Sequence, residues 1–182
     1  MKEFNRWIGH NRTFISLVLA LAVLLMSRPT PVSVSWGFPL ILVGELIRTW
    51  AAGCINKEYE ELTTWGPYAI TRNPLYIGNF LLGLGFVIMG NVAFMILLFA
   101  VLFFMIYRAT IFDEEQTLLS VFGDSFRRYQ AEVPRFFPKL HIPDKPLERF
   151  DWKKVMKHRE YKAWIGIVII LGFLWLKLII MK

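Results

Sequence analysis

Leu75–Ile111 reads LYIGNFLLGLGFVIMGNVAFMILLFAVLFFMIYRATI, and its first charged residue is Arg108. Gly90-Asn91 divides the run and is a tight-turn signal. A helix rising 1.5 Å per residue needs about 20 apolar residues to cross a hydrocarbon core roughly 30 Å thick. Each arm comes close to that. The stretch therefore reads as a transmembrane helical hairpin with arms at about 75–90 and 92–111.

Three more apolar runs lie outside the hairpin, at about 13–26, 34–55 and 163–181. The whole chain of 182 residues is 55% hydrophobic, and only 19% of it is charged. Mean hydropathy is +0.45. Because the charges cluster between apolar runs, these values exclude a disordered chain and an ordinary soluble domain. The expected fold is all-α: a polytopic membrane protein with five transmembrane helices and a cytoplasmic helical segment at 112–162, forming one domain over 1–182. A signal peptide would compete for the first run. Ser27-Arg28-Pro29-Thr30-Pro31 is a poor small-residue cleavage site, however, and a second span follows at once.

Charge gives the expected orientation. Lys2, Arg6 and Arg12 precede the first span, Arg28 alone marks the first loop, and Gly90-Asn91 carries no charge. Basic residues crowd the stretch between Arg108 and Lys162, among them Arg127, Arg128, Arg135, Lys139, Lys153, Lys154 and Lys157. The positive-inside rule puts the N-terminus, the 56–74 loop and the 112–162 segment in the cytoplasm. Lys177 and Lys182 then snorkel to the outer interface. The net charge of +7 is accounted for by this anchoring and by anionic headgroups. No groove-reading motif accompanies it, so no nucleic-acid partner is expected. Cys54 reads as a buried structural thiol. His10, His141 and His158 lack ligand spacing, so no metal site is expected.

Two polar blocks flank the hairpin. The first is Leu62-Thr63-Thr64-Trp65-Gly66-Pro67-Tyr68, running into Thr71-Arg72-Asn73-Pro74-Leu75-Tyr76-Ile77-Gly78. Trp65 to Tyr68 is a turn, and Pro74 can open the third helix behind an extended Asn73. Amides at that helix start, with Arg72 beside them, suit a carboxylate. The plainer reading is a capped helix with an interfacial Arg and Tyr. The second block is Asp113-Glu114-Glu115, continuing to Arg135. Glu114 to Phe122 continues the fourth span as helix, Gly123 ends it, and Asp124 can cap a short helix with Phe126 and Tyr129 on one face. Pro134 and Pro138 stop it, and Pro143 to Lys162 is expected along the membrane surface. Arg108 and Glu115, two turns apart, share a face. A carboxylate there suits a cationic ligand; an acidic patch at a membrane exit is the alternative. Glu45 and Arg48 can pair inside the second span, where ionisable groups usually face the interior or a water-filled cavity. They are candidate substrate-binding residues or a purely structural pair.

The string Gly66-Pro67-Tyr68, Arg72-Asn73-Pro74-Leu75-Tyr76-Ile77-Gly78, the hairpin, Glu114-Glu115, Phe122-Gly123, Tyr129 and Val133-Pro134 resembles the isoprenylcysteine carboxyl methyltransferase family and the wider group of integral-membrane methyltransferases that includes phospholipid N-methyltransferases. The resemblance covers roughly residues 40–138. It implies S-adenosylmethionine as methyl donor and S-adenosylhomocysteine as product. It also implies a cofactor pocket lined by Tyr68, Arg72, Asn73, Pro74, Leu75 and Tyr76, with Glu115 near the cofactor and reaction centre and Glu114 beside it. The family usually has His where this chain has Asn73. The eukaryotic carboxyl methyltransferases place an Arg shortly before the acidic run; Thr110 and Ile111 fill that stretch here, and Arg108 is the nearest substitute.

The expected function is methylation of a lipophilic, membrane-embedded small molecule, at a site open to the bilayer on one side and to the cytoplasm on the other. The expected location is a prokaryotic plasma membrane. Phospholipid N-methylation or small-thiol S-methylation by the same architecture is an alternative. So, from another class, is a non-catalytic membrane scaffold or a small-solute transporter. The sequence leaves the oligomeric state open.

Overall fold

A computed structural model describes residues 2–56, 60–137 and 150–181, with side chains from Phe14 onward. The described residues form helices α1 (Lys2–Met26), α2 (Pro31–Cys54), a 3-10 turn at Gly66–Ala69, α3 (Pro74–Gly90), α4 (Ala93–Phe122), α5 (Asp124–Glu132), α6 (Trp152–Lys157) and α7 (Tyr161–Ile180). Three of them, α2, α4 and α7, are long and apolar enough to cross a membrane; Phe14–Met26 and Pro74–Gly90 are shorter apolar helices. The five apolar runs thus all fold as helices, though α1 begins well before the expected residue 13. Large apolar side chains stand exposed along the outer faces, such as Leu46 on α2, Leu97 on α4 and Val168 on α7. With no water to satisfy backbone groups in hydrocarbon, helices with such faces suit a bilayer.

Local chemistry explains where the helices start. Thr30 and Ser33 exchange side-chain-to-backbone hydrogen bonds, a capping box at the head of α2, with Pro31 in the first turn. That pair satisfies two otherwise orphaned amides. The hairpin turns at Asn91, which takes the left-handed conformation at φ 55°. Asn tolerates this region because its short side chain bonds locally; here its amide donates to the carbonyl of Arg28 at 3.2 Å.

α2 and α3 are antiparallel and meet through glycine at two levels. A Cβ on Gly37 would lie 2.5 Å from the Gly85 carbonyl oxygen, and one on Gly44 would lie 2.7 Å from that of Gly78. Each of these contacts is reciprocal. Small residues let helix backbones approach closely where lipid supplies no hydrophobic drive between them. This contact sets Arg48 on α2 opposite Asn79 on α3.

The two ends of the bundle are fastened differently. At one end the Arg28 amide donates to the Gly90 carbonyl at 2.8 Å. There Lys177 is tied to the end of α1. Its ammonium donates to the carbonyls of Leu24 at 2.7 Å and Leu25 at 3.0 Å, because the last turn of α1 leaves those oxygens free. At the other end Gly53 receives the ring of Phe150, and its carbonyl accepts from the Asp151 amide at 3.0 Å. Cys54 is buried there, as expected of a structural thiol.

α4 runs unbroken from the hairpin to Phe122 and turns the corner at Gly123, whose φ is +52°. Asp124 does not cap the next helix. Gly123 occupies the cap position with no side-chain bond, and Asp124 sits in the first turn. The corner is made by backbone that only glycine adopts easily. Phe126, Tyr129 and Val133 then pack against Leu118, Leu119, Phe122 and Leu62. The surface segment expected from Pro143 lies outside the described residues up to 149, as do Pro138, Lys139 and His141; Lys2, Arg6, His10 and Arg12 have no described side chains.

Candidate active site

The two polar blocks meet. Among the bonds that join them, the Arg72 amide donates to the Pro134 carbonyl at 2.9 Å, the Asn73 side-chain amide to the Arg135 carbonyl at 2.8 Å, the Thr71 hydroxyl to the Phe136 carbonyl at 3.1 Å, and the Tyr129 hydroxyl to the Tyr68 carbonyl at 2.7 Å. Asn73, which has no side-chain cap bond, spends its amide on the second block. The hairpin between them works as a long arm that returns the chain to its starting level.

A cavity of about 550 Å³ opens at this junction, within the size range of small-molecule sites. Arg48 on α2, Tyr68 on the 3-10 turn, Arg72 and Asn73 in the loop, Pro74, Leu75, Tyr76 and Asn79 on α3, Tyr107, Glu114 and Glu115 on α4, and Glu160 before α7 all line it. Every expected residue of the first block is therefore on its wall, together with both glutamates and Arg48.

Glu115 is 5% exposed and accepts from two arginines. Arg72 Nη2 reaches its Oε1 at 3.1 Å, and Arg135 Nε donates to the same oxygen at 3.2 Å. Arg135 Nη2 also bonds Oε2. Glu114 takes the Tyr76 hydroxyl at 2.6 Å. Glu45 pairs with Arg48 at 3.6 Å but does not line the cavity; its Oε1 accepts from the indole of Trp164 at 2.8 Å. Arg48 is shared with Glu160 at 2.6 Å.

Arg108 is not brought to the site. It is exposed and absent from the cavity wall. Seven residues at about 100° each do put it on the same face of α4 as Glu115. That face is covered only near Glu115, where the loops carrying Arg72 and Arg135 pack on it. Asn79, Tyr107 and Glu160 are among the wall residues that carried no expectation as site residues. Asn79 had a signal, being a lone amide one turn beyond Tyr76 in an apolar span. Tyr107 and Glu160 had none in spacing.

Charge is arranged as two triads, with the carboxylates of Glu61 and Glu114 also on the cavity wall. Arg72 and Arg135 share Glu115, an excess of one positive charge. Glu45 and Glu160 share Arg48, an excess of one negative charge. Burial lowers the Arg72 pKa, and the Glu115 carboxylate works against that. Burial pushes the Tyr68 hydroxyl well above the ordinary phenol range. It also raises Tyr129, against a smaller lowering effect of Arg72. Both phenols are therefore neutral donors. The Tyr68 hydroxyl and Arg72 Nε are buried on the wall without a hydrogen-bond partner among the described residues. Such groups are costly unless a ligand satisfies them.

A second, apolar cavity of about 260 Å³ lies between α1, α3, α4 and α7, and Asn79 and Tyr107 line both.

The phospholipid methyltransferase family model matches residues 32–125, just over half of the chain. The chain belongs to that family. Its family-matched residues include Arg48, the whole first block and both glutamates, whereas Tyr129, Arg135 and Glu160 lie beyond the match. Cobalt-zinc-cadmium resistance protein CzcN of Cupriavidus metallidurans is 31% identical over 141 residues, 74% of this chain and 65% of that protein. Nickel-cobalt-cadmium resistance protein NccN of Alcaligenes xylosoxydans xylosoxydans is 36% identical over 110 residues, 58% of this chain and 48% of that protein. Protein-S-isoprenylcysteine O-methyltransferase of Schizosaccharomyces pombe is 37% identical over 86 residues, 47% of this chain and 36% of that protein. The chain thus spans less than two thirds of the length of each. No solved structure matches it.

Proposed function

We propose that this chain is an integral-membrane methyltransferase that uses S-adenosylmethionine to methylate a lipophilic acceptor. The observation that carries the reading is the cavity at the junction of the two blocks, where the Tyr68 hydroxyl and Arg72 Nε are buried without partners in a wall that also holds Glu115. Family membership and the likeness to an isoprenylcysteine O-methyltransferase support it.

The donor set fits such a cofactor. It carries a carboxylate, an ammonium and a sulfonium, and when bound it supplies an electrophilic methyl carbon and departs as S-adenosylhomocysteine. Arg72 and Tyr68 offer two free donors that a carboxylate satisfies. Glu114 and Glu115 supply negative charge for the cationic part. Pro74, Leu75 and Tyr76 give the wall its apolar surface. Methyl transfer is an in-line displacement, so the chain's task is chiefly to hold its reactants aligned. The block junction does this with rigid parts: Tyr129 pins the 3-10 turn, and Asn73 pins the start of α3.

The acceptor's lipophilic tail fits the apolar cavity between α1, α3, α4 and α7, which meets the polar one at Asn79 and Tyr107. The basic residues Arg127, Arg128 and Arg135 stand at the block end of the bundle, which the positive-inside rule assigns to the cytoplasm. The N-terminus is assigned to the same side, and the membrane is taken to be a prokaryotic plasma membrane. The chain acts as one domain.

Purified protein should bind S-adenosylhomocysteine saturably in calorimetry and melt at a higher temperature with it, since a ligand of the native state raises stability. Labelled S-adenosylmethionine and a membrane lipid extract should yield a labelled lipophilic product. Absence of both binding and product would refute the reading in favour of a scaffold or transporter.

A further inference from the structure

From Phe150 onward the chain lies outside the family-matched residues, yet it contributes Glu160 to the cavity wall. The Asp151 amide donates to the Gly53 carbonyl at 3.0 Å, and the His158 ring meets the Ala52 carbonyl at 3.0 Å. Val155, between them in sequence, is fully buried. One side of α6 is thus spent on the end of α2. Past α6, the Glu160 carboxylate accepts from Arg48 Nη2 at 2.6 Å. Its carbonyl accepts from the amides of Ala163 at 2.9 Å and Trp164 at 3.1 Å, so the same residue opens α7.

The other side of α6 faces outward. Trp152 and Met156, one turn apart, are 58% and 47% exposed. Lys153 and Lys157, one turn apart beside them, are exposed as well. Arg159, Tyr161 and Lys162 carry this exposed surface round the corner into α7. Two carboxylates stand against these cations. Asp151 is exposed and accepts from the Lys153 amide at 2.8 Å, whereas Glu160 is buried on Arg48. The outer surface therefore keeps a clear positive excess.

Its level in the bundle says what it meets. α7 is long and apolar enough to cross a membrane and begins at Tyr161. The basic side chains and the rings of Trp152 and Tyr161 thus stand where a span enters the headgroups. Aromatic rings settle at that level, and ammonium and guanidinium groups meet anionic lipid there. An acidic protein would match the charge alone; a lipid leaflet matches the charge, the rings and the level. The corner itself is strained, because Arg159 takes the left-handed conformation at φ 60°. Glycine would adopt it at less cost. With arginine there, one basic side chain stands outside while its neighbour Glu160 turns inward.

We propose that the outer side of α6 and the α6–α7 corner form a docking surface for an anionic phospholipid leaflet, and that docking seats Glu160 in the cavity wall. Headgroup phosphates against Lys153, Lys157, Arg159 and Lys162 hold the corner from outside, while the bonds to Ala52 and Gly53 hold it from inside. The stretch is wedged between leaflet and α2, so the charge of the membrane sets how firmly the cavity is closed on this side. This goes beyond the methyltransferase reading and does not depend on it.

The test uses the full chain in nanodiscs of phosphatidylcholine alone and of phosphatidylcholine with about 30% phosphatidylglycerol, an anionic lipid. Amide hydrogen exchange is followed from Asp151 to Trp164. The anionic discs should slow exchange about tenfold, both in α6 and at Ala163 and Trp164, whose amides report the seating of Glu160. Salt at roughly 0.5 M should remove most of the difference. Arg159→Gly relaxes the corner while removing its charge; combined with Lys162→Gln it should leave about a twofold effect. Arg127 and Arg128 are exposed on α5 and draw anionic lipid too. The variant Arg127→Gln, Arg128→Gln should nevertheless keep the full slowing between Asp151 and Trp164. Equal exchange of the wild type in both discs would overturn the proposal. So would an undiminished effect in the Arg159→Gly, Lys162→Gln variant, or its loss in the α5 variant, which would assign it to overall surface charge. Slowing confined to α6, with Ala163 and Trp164 unchanged, would overturn the link to the cavity. Binding of S-adenosylhomocysteine plays no part in these readouts, so failure here and failure of the methyltransferase reading are separate results.

Discussion

Tyr129 donates its hydroxyl hydrogen to the carbonyl oxygen of Tyr68 at 2.7 Å, tying the short helix after the hairpin to the turn before it. Both side chains are buried, and both phenols are held above their usual pKa of 10.0. The folded state thus keeps two neutral hydroxyls that the unfolded chain would ionise in base. Their contribution to stability is complete below pH 10 and is lost as pH rises beyond it. Tyr129→Phe should cost about 1 kcal/mol at neutral pH through the lost bond. Between about pH 10 and 11.5, the Tyr68→Phe, Tyr129→Phe double variant should lose less melting temperature than the wild type. Parallel curves would show that neither phenol governs alkaline unfolding.

Glu115→Gln should abolish turnover and also destabilise the protein. The change leaves Arg72, buried at 10% side-chain exposure, without its anion, while Arg135, at 53%, can turn toward water. Breaking a buried pair from one side costs on the order of 3 kcal/mol. Adding Arg72→Met removes the stranded charge, so the double variant should regain much of the melting temperature but no activity. Near-normal turnover in the single variant would remove Glu115 from the site.

Arg72→Ala should be milder for the fold, because Glu115 keeps Arg135. Its effect should fall on the cofactor. Loss of one charge-assisted bond, roughly 1.5–3 kcal/mol, corresponds to about ten- to a hundredfold in S-adenosylhomocysteine affinity by calorimetry. Unchanged affinity would show that Arg72 is only a link between the two blocks.

Gly85→Leu should prevent α2 and α3 from closing. Even a Cβ there would sit 2.7 Å from the Gly37 carbonyl oxygen, which is backbone and cannot step aside. Overpacking costs about 1–3 kcal/mol where side chains can yield, and more is expected here. Purified yield and melting temperature should both fall, and Arg48 and Asn79 should no longer meet. A variant that melts like the wild type would show that the glycine contact is not needed.

The apolar runs, the hairpin turn and the two blocks were legible because each depends on local composition. A run without charge must avoid water, and Gly90-Asn91 must turn. The first block's place on the cavity wall was legible for a related reason: its polar residues sit at a helix start that faces the second block. Arg108 misled because periodicity gives the face of a helix but not how far along that face another segment covers it. Asp124 misled because side-chain preference for a cap was outweighed by the glycine backbone at the corner.

The sequence by itself determined that this is an all-helical membrane chain and that two polar blocks flank a hairpin. Those properties follow from hydropathy and turn chemistry within a few residues. Only the tertiary structure decided which charges meet. Glu115 lies between Arg72 and Arg135, and Arg48 lies between Glu45 and Glu160. The physical reason is that an ion pair inside a protein depends on distances of a few ångströms between segments far apart in the chain, and those distances are set by glycine contacts, corners and backbone bonds that bring whole helices together.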